Sequence, residues 1–268
     1  MVNYQGHRGT MIPIRRNGLL YYRFETLAAQ RGVDHAVFTR LGGFSKPPFA
    51  SLNVGATVGD DPAAVHENRR IVFAEMGLSP DEVVTCYQVH SAAVAPVGVR
   101  HGGQVIPATD GLMSAESVAL FLRFADCVPI ILYDPVRRAV ALVHAGWRGT
   151  AAGIAGVGVA RMAEQYGSRP GDILACIGPS IGPCCYRVGE DFRQAITAQW
   201  PDAAAYIARR NGALHADLWE MNRRQLLDAG VGHVEVARIC TACHNDEFFS
   251  HRGDRGRTGR FAALVRLR

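Results

Sequence analysis

Three apolar runs decide the fold: Ala119-Leu120-Phe121-Leu122-Arg123-Phe124, Val128-Pro129-Ile130-Ile131-Leu132-Tyr133 and Ala139-Val140-Ala141-Leu142-Val143. Each is too short for a buried helix and is rich in aliphatic or β-branched residues. Several are apolar at odd and even positions alike, as in central strands covered on both faces. Asp134-Pro135 marks a turn between the last two runs. Ala125-Asp126-Cys127 links the first two, and His144 closes the third, followed by Ala145-Gly146-Trp147-Arg148-Gly149-Thr150. Function tends to sit where a rigid strand hands over to a loop.

Further strands are predicted over 33–38, 83–88, 173–177, 234–239 and 261–267. Asp61-Pro62 opens a predicted helix through about Met76, proline suiting the first turn. A second helix is predicted from Thr150, near its N-cap, to about Tyr166, with others near 189–199 and 217–229. Gly149, Gly153 and Gly156 share a helical face, which suggests close helix–sheet packing. Mixed elements without regular βαβ alternation predict an α/β or α+β domain of layered, mixed sheets spanning 1–268. Residues 1–32 are its least defined part.

Of the 268 residues, 48% are hydrophobic and 20% charged, so the chain can bury a large core and is not disordered. The net charge of +5 is mild. Basic residues are dense only in His251-Arg252-Gly253-Asp254-Arg255-Gly256-Arg257-Thr258-Gly259-Arg260, read as a solvated loop partly paired with Asp254. Without interleaved aromatics it does not predict a nucleic-acid partner. No stretch suits a signal peptide or a membrane span, so a cytoplasmic protein without a membrane partner is expected, monomeric or homodimeric. Seven cysteines, two of them adjacent at Cys184-Cys185, make a poor disulfide framework and fit a reducing compartment. Cys240-Thr241-Ala242-Cys243-His244 matches the c-type haem attachment pattern, but no export signal accompanies it, so no haem is expected.

His90, Cys127 and His144 are the candidate ligands. Two imidazoles and one thiolate suit a catalytic zinc, which keeps a fourth position open; the set also suits copper. Gaps of 37 and 17 residues are unlike a zinc finger, so only folding can assemble them. The glycine-flanked start of the helix after His144 suits an anion, with Arg148 adding a charged fork.

Several words together resemble the YfiH-type laccase-domain family, also called polyphenol oxidase and purine nucleoside phosphorylase. They include Phe38-Thr39-Arg40-Leu41-Gly42-Gly43, Ser51-Leu52-Asn53-Val54-Gly55, Gln88-Val89-His90, Thr109-Asp110-Gly111-Leu112, Ala125-Asp126-Cys127-Val128-Pro129, His144-Ala145-Gly146-Trp147-Arg148-Gly149-Thr150 and Ile177-Gly178-Pro179-Ser180-Ile181-Gly182-Pro183-Cys184-Cys185-Tyr186. The resemblance implies stacked sheets flanked by helices, a fold shared with deamidating toxins that use a Cys–His pair. It implies a metal at His90, Cys127 and His144, usually zinc, with copper in some members. It also implies phosphorolysis of adenosine, inosine and S-methyl-5'-thioadenosine, and deamination of adenosine. The chain departs from the pattern at Met113-Ser114, Arg187 and Cys243-His244, none of which touches His90, Cys127 or His144.

On this reading His90, Cys127 and His144 are both metal ligands and catalytic residues. Arg40 and Arg148 hold phosphate or substrate. Asp126 is a candidate proton carrier, although strand alternation points it away from Cys127. Three alternatives stand beside it. The first is phenol oxidation by copper, for which the ten histidines supply no His-x-His pair. The second is a metal-free hydrolase with Cys127 as nucleophile and His144 as base, suited to editing of cell-wall precursors. The third is a scaffold whose metal is structural.

Overall fold

Strand alternation sorts the deciding runs onto two sides of two stacked sheets. Leu120, Leu122 and Phe124 share one buried cluster, whereas Ala119 and Phe121 belong to another. The computed structural model, which describes residues 11–268, contains both sheets. The first runs in the order Met11–Arg16, Leu19–Phe24, Val33–Phe38, Phe261–Leu267, Ala119–Phe124, Val83–Cys86, Val105–Ile106. The second runs His233–Val236, Leu174–Ile177, Val128–Asp134, Ala139–Ala145, Gly111–Ser114, Val94–Pro96.

Ile131, Tyr133, Val140 and Leu142 of the second sheet meet Leu122, Phe124, Phe261 and Val265 of the first. On the outer face of the second sheet, Ile130, Leu132, Ala141 and Val143 pack on Ile154, Val159 and Leu226 from helices Ile154–Tyr166 and Leu218–Asp228. Outside the first sheet, Val72 and Phe73 of helix Pro62–Glu75 cover Phe121 and Leu264. Phe73 meets Phe121 edge-on at 5.2 Å. The architecture is thus mixed α+β, with two stacked sheets between helices. Each fully buried Leu or Phe contributes roughly 1.5–3 kcal/mol.

Most predicted elements form. Asp61 caps its helix by accepting from the Ala63 N–H, with Pro62 as the first helical residue. Asp134 accepts from the Val136 and Arg137 N–H groups, making the expected turn. The predicted helix from Thr150 is two helices, Trp147–Ala151 and Ile154–Tyr166. Gly153, at φ +76°, separates them, and a Cβ there would meet nothing, so it is a helix-breaking glycine and not a packing one. Thr150 caps neither helix; its buried hydroxyl bonds with Asn222. Residues 11–24, poorly defined by sequence, form a hairpin at the sheet edge. No helix among the described residues is long and apolar enough to cross a membrane.

Candidate metal centre

Register assembles the centre. In the antiparallel pair of the second sheet, Ala145 faces Val128 and His144 faces Pro129. One step further along the same ladder, Gly146 comes beside Cys127 in the loop joining the two sheets. On the other side Val143 faces Gly111, and the next residue pair is His144 with Asp110. The His144 N–H donates to the Asp110 carbonyl at 2.7 Å. Its ring Nδ1 lies 2.9 Å from Asp110 Oδ1.

His90 arrives from a separate loop. Gln88 anchors that loop by bonding with the Arg123 backbone and guanidinium. Asp110 then pins its tip: Oδ1 accepts from the His90 N–H, and Oδ2 from the Val89 and Ser91 N–H groups and the Ser91 hydroxyl. These bonds hold His90 at φ +62°, a left-handed conformation costly for a side-chain-bearing residue.

One donor atom each from His90, Cys127 and His144 lies within 4.8 Å of the others. Cys127 Sγ is 4.0 Å from His90 Nε2. The two imidazoles stand edge to face, 5.1 Å between centroids. His144 is buried and His90 exposed, so the centre opens to solvent on the His90 side. Asp110 accepting from the Nδ1 side leaves His144 Nε2 to ligate, the carboxylate–histidine–metal arrangement that fixes ring and tautomer. The donor chemistry and spacing therefore fit a metal ion.

The electrostatics agree. Burial lowers the His144 pKa, opposed by Asp110, so the ring tends to the neutral form a ligand needs. Burial would raise Asp110, but hydrogen bonds from His144 and Ser91 overcome it and hold the carboxyl at about 2. Burial, reinforced by Asp126 and Asp110, pushes the Cys127 thiol up to about 12. A metal must displace that proton, so metal uptake should weaken as pH falls.

Gly146 is the glycine this centre requires. A Cβ there would lie 2.8 Å from His90 Cδ2 and 3.2 Å from Cys127 Sγ. Its φ of −69° suits any residue, so the constraint is space alone. Gly146→Ala is expected to weaken metal binding about tenfold or more by displacing two ligands, with little change in melting temperature. Metal titration beside thermal melts checks this; unchanged affinity would contradict the geometry.

Other predicted residues are placed differently. Arg148 is exposed, with its guanidinium 4.4 Å over the Trp147 ring. The Arg40 guanidinium donates to the Ala50 and Asn245 carbonyls, meets Asp254 at 3.5 Å and covers Phe249. Asp126 sits at φ +80° with both carboxylate oxygens engaged, by the Thr241 hydroxyl at 2.7 Å and the Arg252 N–H at 2.6 Å. It braces the Cys127 loop, and its oxygens are not directed to a reacting group. The 251–260 run is not simply solvated: Asp254 pairs with Arg40, and the half-buried Arg260 lies within electrostatic reach of Cys127 and Asp126. Sequence reasoning missed Asp110 as part of the centre and Arg260 as a nearby charge. For Asp110 the available signal was the word Thr109-Asp110-Gly111.

The chain belongs to a known family. The multi-copper polyphenol oxidoreductase laccase family matches residues 34–268. Among its relatives, purine nucleoside phosphorylase YlmD of Geobacillus stearothermophilus is 43% identical over 246 residues, covering 87% of this chain and 90% of that protein. Purine nucleoside phosphorylase YfiH of Escherichia coli is 35% identical, covering 88% and 95%. The crystal structure of the Geobacillus YlmD superposes with a TM-score of 0.90, covering 97% of this chain and 99% of that one.

Proposed function

We propose that this chain is a zinc-dependent purine nucleoside phosphorylase. Its substrates are adenosine, inosine and S-methyl-5'-thioadenosine with phosphate, and adenosine deamination is a side activity. The observation that carries the reading is the convergence of His90, Cys127 and His144, with Asp110 behind His144. It occurs in a chain 43% identical to a protein named purine nucleoside phosphorylase. The three ligands would hold the ion, which supplies Lewis-acid charge beside the reacting bond.

The chain's own residues do the positioning. Asp110 fixes the His144 ring and the His90 loop together. Gly146 leaves room between His90 and Cys127. Arg148 has no ion pair among the described residues, and its guanidinium offers a bidentate fork to phosphate. Among the described residues Arg40 Nη2 has no hydrogen bond or ion pair, and this amino group is assigned to the substrate.

One alternative fits less well, and a second is told apart by colour. A hydrolase needs a thiolate at Cys127, yet burial pushes that thiol up to about 12 even with Arg260 in electrostatic reach. A copper occupant bound by two imidazoles and a thiolate would give an intensely coloured protein. The zinc-loaded protein is expected to be colourless.

Arg148→Ala tests the phosphate assignment. The KM for phosphate is expected to rise about 10–100-fold, equivalent to about 1.4–2.8 kcal/mol. Deamination should change by no more than about twofold, since water replaces phosphate there. Chromatography of adenosine products with and without phosphate reads both. Equal loss of the two activities would remove Arg148 from phosphate binding.

A further inference from the structure

Four thiols outside the centre described above also converge. Cys184 and Cys185 lie on a turn in which the Cys185 and Tyr186 N–H groups donate to the Gly182 carbonyl. Cys240 and Cys243 lie on a second turn, closed by the His244 N–H donating to the Cys240 carbonyl at 2.9 Å. The two turns are joined by a parallel bridge between Ser180 and Cys240. All four sulfurs lie within 4.8 Å of one another. Cys243 Sγ is 3.5 Å from Cys184 Sγ and 3.4 Å from Cys185 Sγ.

We propose that Cys184, Cys185, Cys240 and Cys243 form a second metal site, a tetrahedral zinc bound by four thiolates. Zinc about 2.3 Å from each sulfur would set the sulfurs about 3.8 Å apart, close to the spacing seen. The contacts are far longer than the ~2.05 Å of a disulfide, and all four cysteines are free. An iron–sulfur cluster would spread its cysteines over several irons, whereas this spacing suits one ion. The Gly182 N–H already donates to Cys240 Sγ at 3.3 Å, the kind of bond that orients a thiolate ligand. No fourth position is open, so the site is structural.

Its place in the fold gives that structure a purpose. From the first turn, the Ile181 N–H donates to the Asp126 carbonyl at 3.0 Å. From the second, the Thr241 hydroxyl donates to the Asp126 carboxylate. A zinc tying the turns together clamps Asp126, the residue before Cys127. The Cys-x-x-Cys pair that matches a haem motif is thereby assigned to a metal held with Cys184 and Cys185.

The test does not depend on the phosphorylase reading. Wild-type protein purified with zinc and no added reductant should hold two equivalents by elemental analysis. Cys127→Ala should keep one. Cys127→Ala with Cys243→Ala should keep none. Adding cobalt(II) to metal-stripped Cys127→Ala should give the spectrum of an all-sulfur tetrahedral cobalt, and the double variant should not. In the wild type, the four thiols should resist alkylation until a strong chelator is added, which keeps the test valid if the double variant misfolds. A metal-free Cys127→Ala whose four cysteines alkylate at once would overturn the proposal. So would a Cys184–Cys243 disulfide found by mass spectrometry in the wild type, or a Soret band from haem on Cys240 and Cys243.

Discussion

Cys127→Ala is expected to lose one equivalent of zinc and to slow adenosine phosphorolysis by about 1,000-fold, roughly 4 kcal/mol of transition-state stabilisation. The thiol is the one anionic ligand in the set. Its half-buried sulfur stands 4.0 Å from His90 Nε2, and the two histidines alone cannot close the coordination. Truncation removes a single sulfur, so the fold should stay within about 1 kcal/mol of wild type. Metal analysis, steady-state rates and thermal melts on one preparation check all three. A variant that keeps its activity would remove Cys127 from the chemistry. His90→Ala, altering an exposed ring, should impair phosphorolysis and deamination together.

Asp110→Asn should damage both stability and metal binding. Oδ1 faces donors on His90 and His144, and Oδ2 faces donors on Val89 and Ser91. Whichever way the amide turns, its NH2 meets groups that must donate. Opposed donors in a buried site cost about 3 kcal/mol, and loss of the His144 orienter costs about 10–100-fold in zinc affinity. The wild-type carboxyl sits at about 2, below its ordinary 3.8. Its stabilisation is therefore fully present above about pH 4 and is lost as pH falls toward 2, amounting to about 2 kcal/mol. Denaturant melts of metal-free protein across that window should show this loss in the wild type and its absence in Asp110→Asn. Parallel pH curves for the two would contradict the assignment.

How far the sequence could be read follows from the range of each interaction. The runs read at 119–124, 128–133 and 139–143, which form strands Ala119–Phe124, Val128–Asp134 and Ala139–Ala145, were legible because burial on both faces leaves an unbroken apolar pattern. Cys127 and His144 were legible because they stand at the ends of those runs. Asp110 was not, since its meeting with His144 depends on pairing of a strand, Gly111–Ser114, whose small residues carry little strand signal. The break at Gly153 was hidden for a related reason: a glycine spaced for packing and one placed to break a helix look alike in sequence. The anchoring of Arg40 was not legible, because its carbonyl partners at Ala50 and Asn245 come from loops that only the fold brings near. The cysteine quartet joins pairs more than fifty residues apart, so neither pair alone declares it.

Metal-dependent phosphorolysis is tested by product analysis of adenosine incubated with the zinc-loaded protein, with and without phosphate. Adenine and ribose 1-phosphate are expected only when phosphate is present, some inosine in either case, and about 1,000-fold slower release of adenine from Cys127→Ala. Adenosine left intact in both reactions, with a phenol oxidised once copper is supplied, would contradict it.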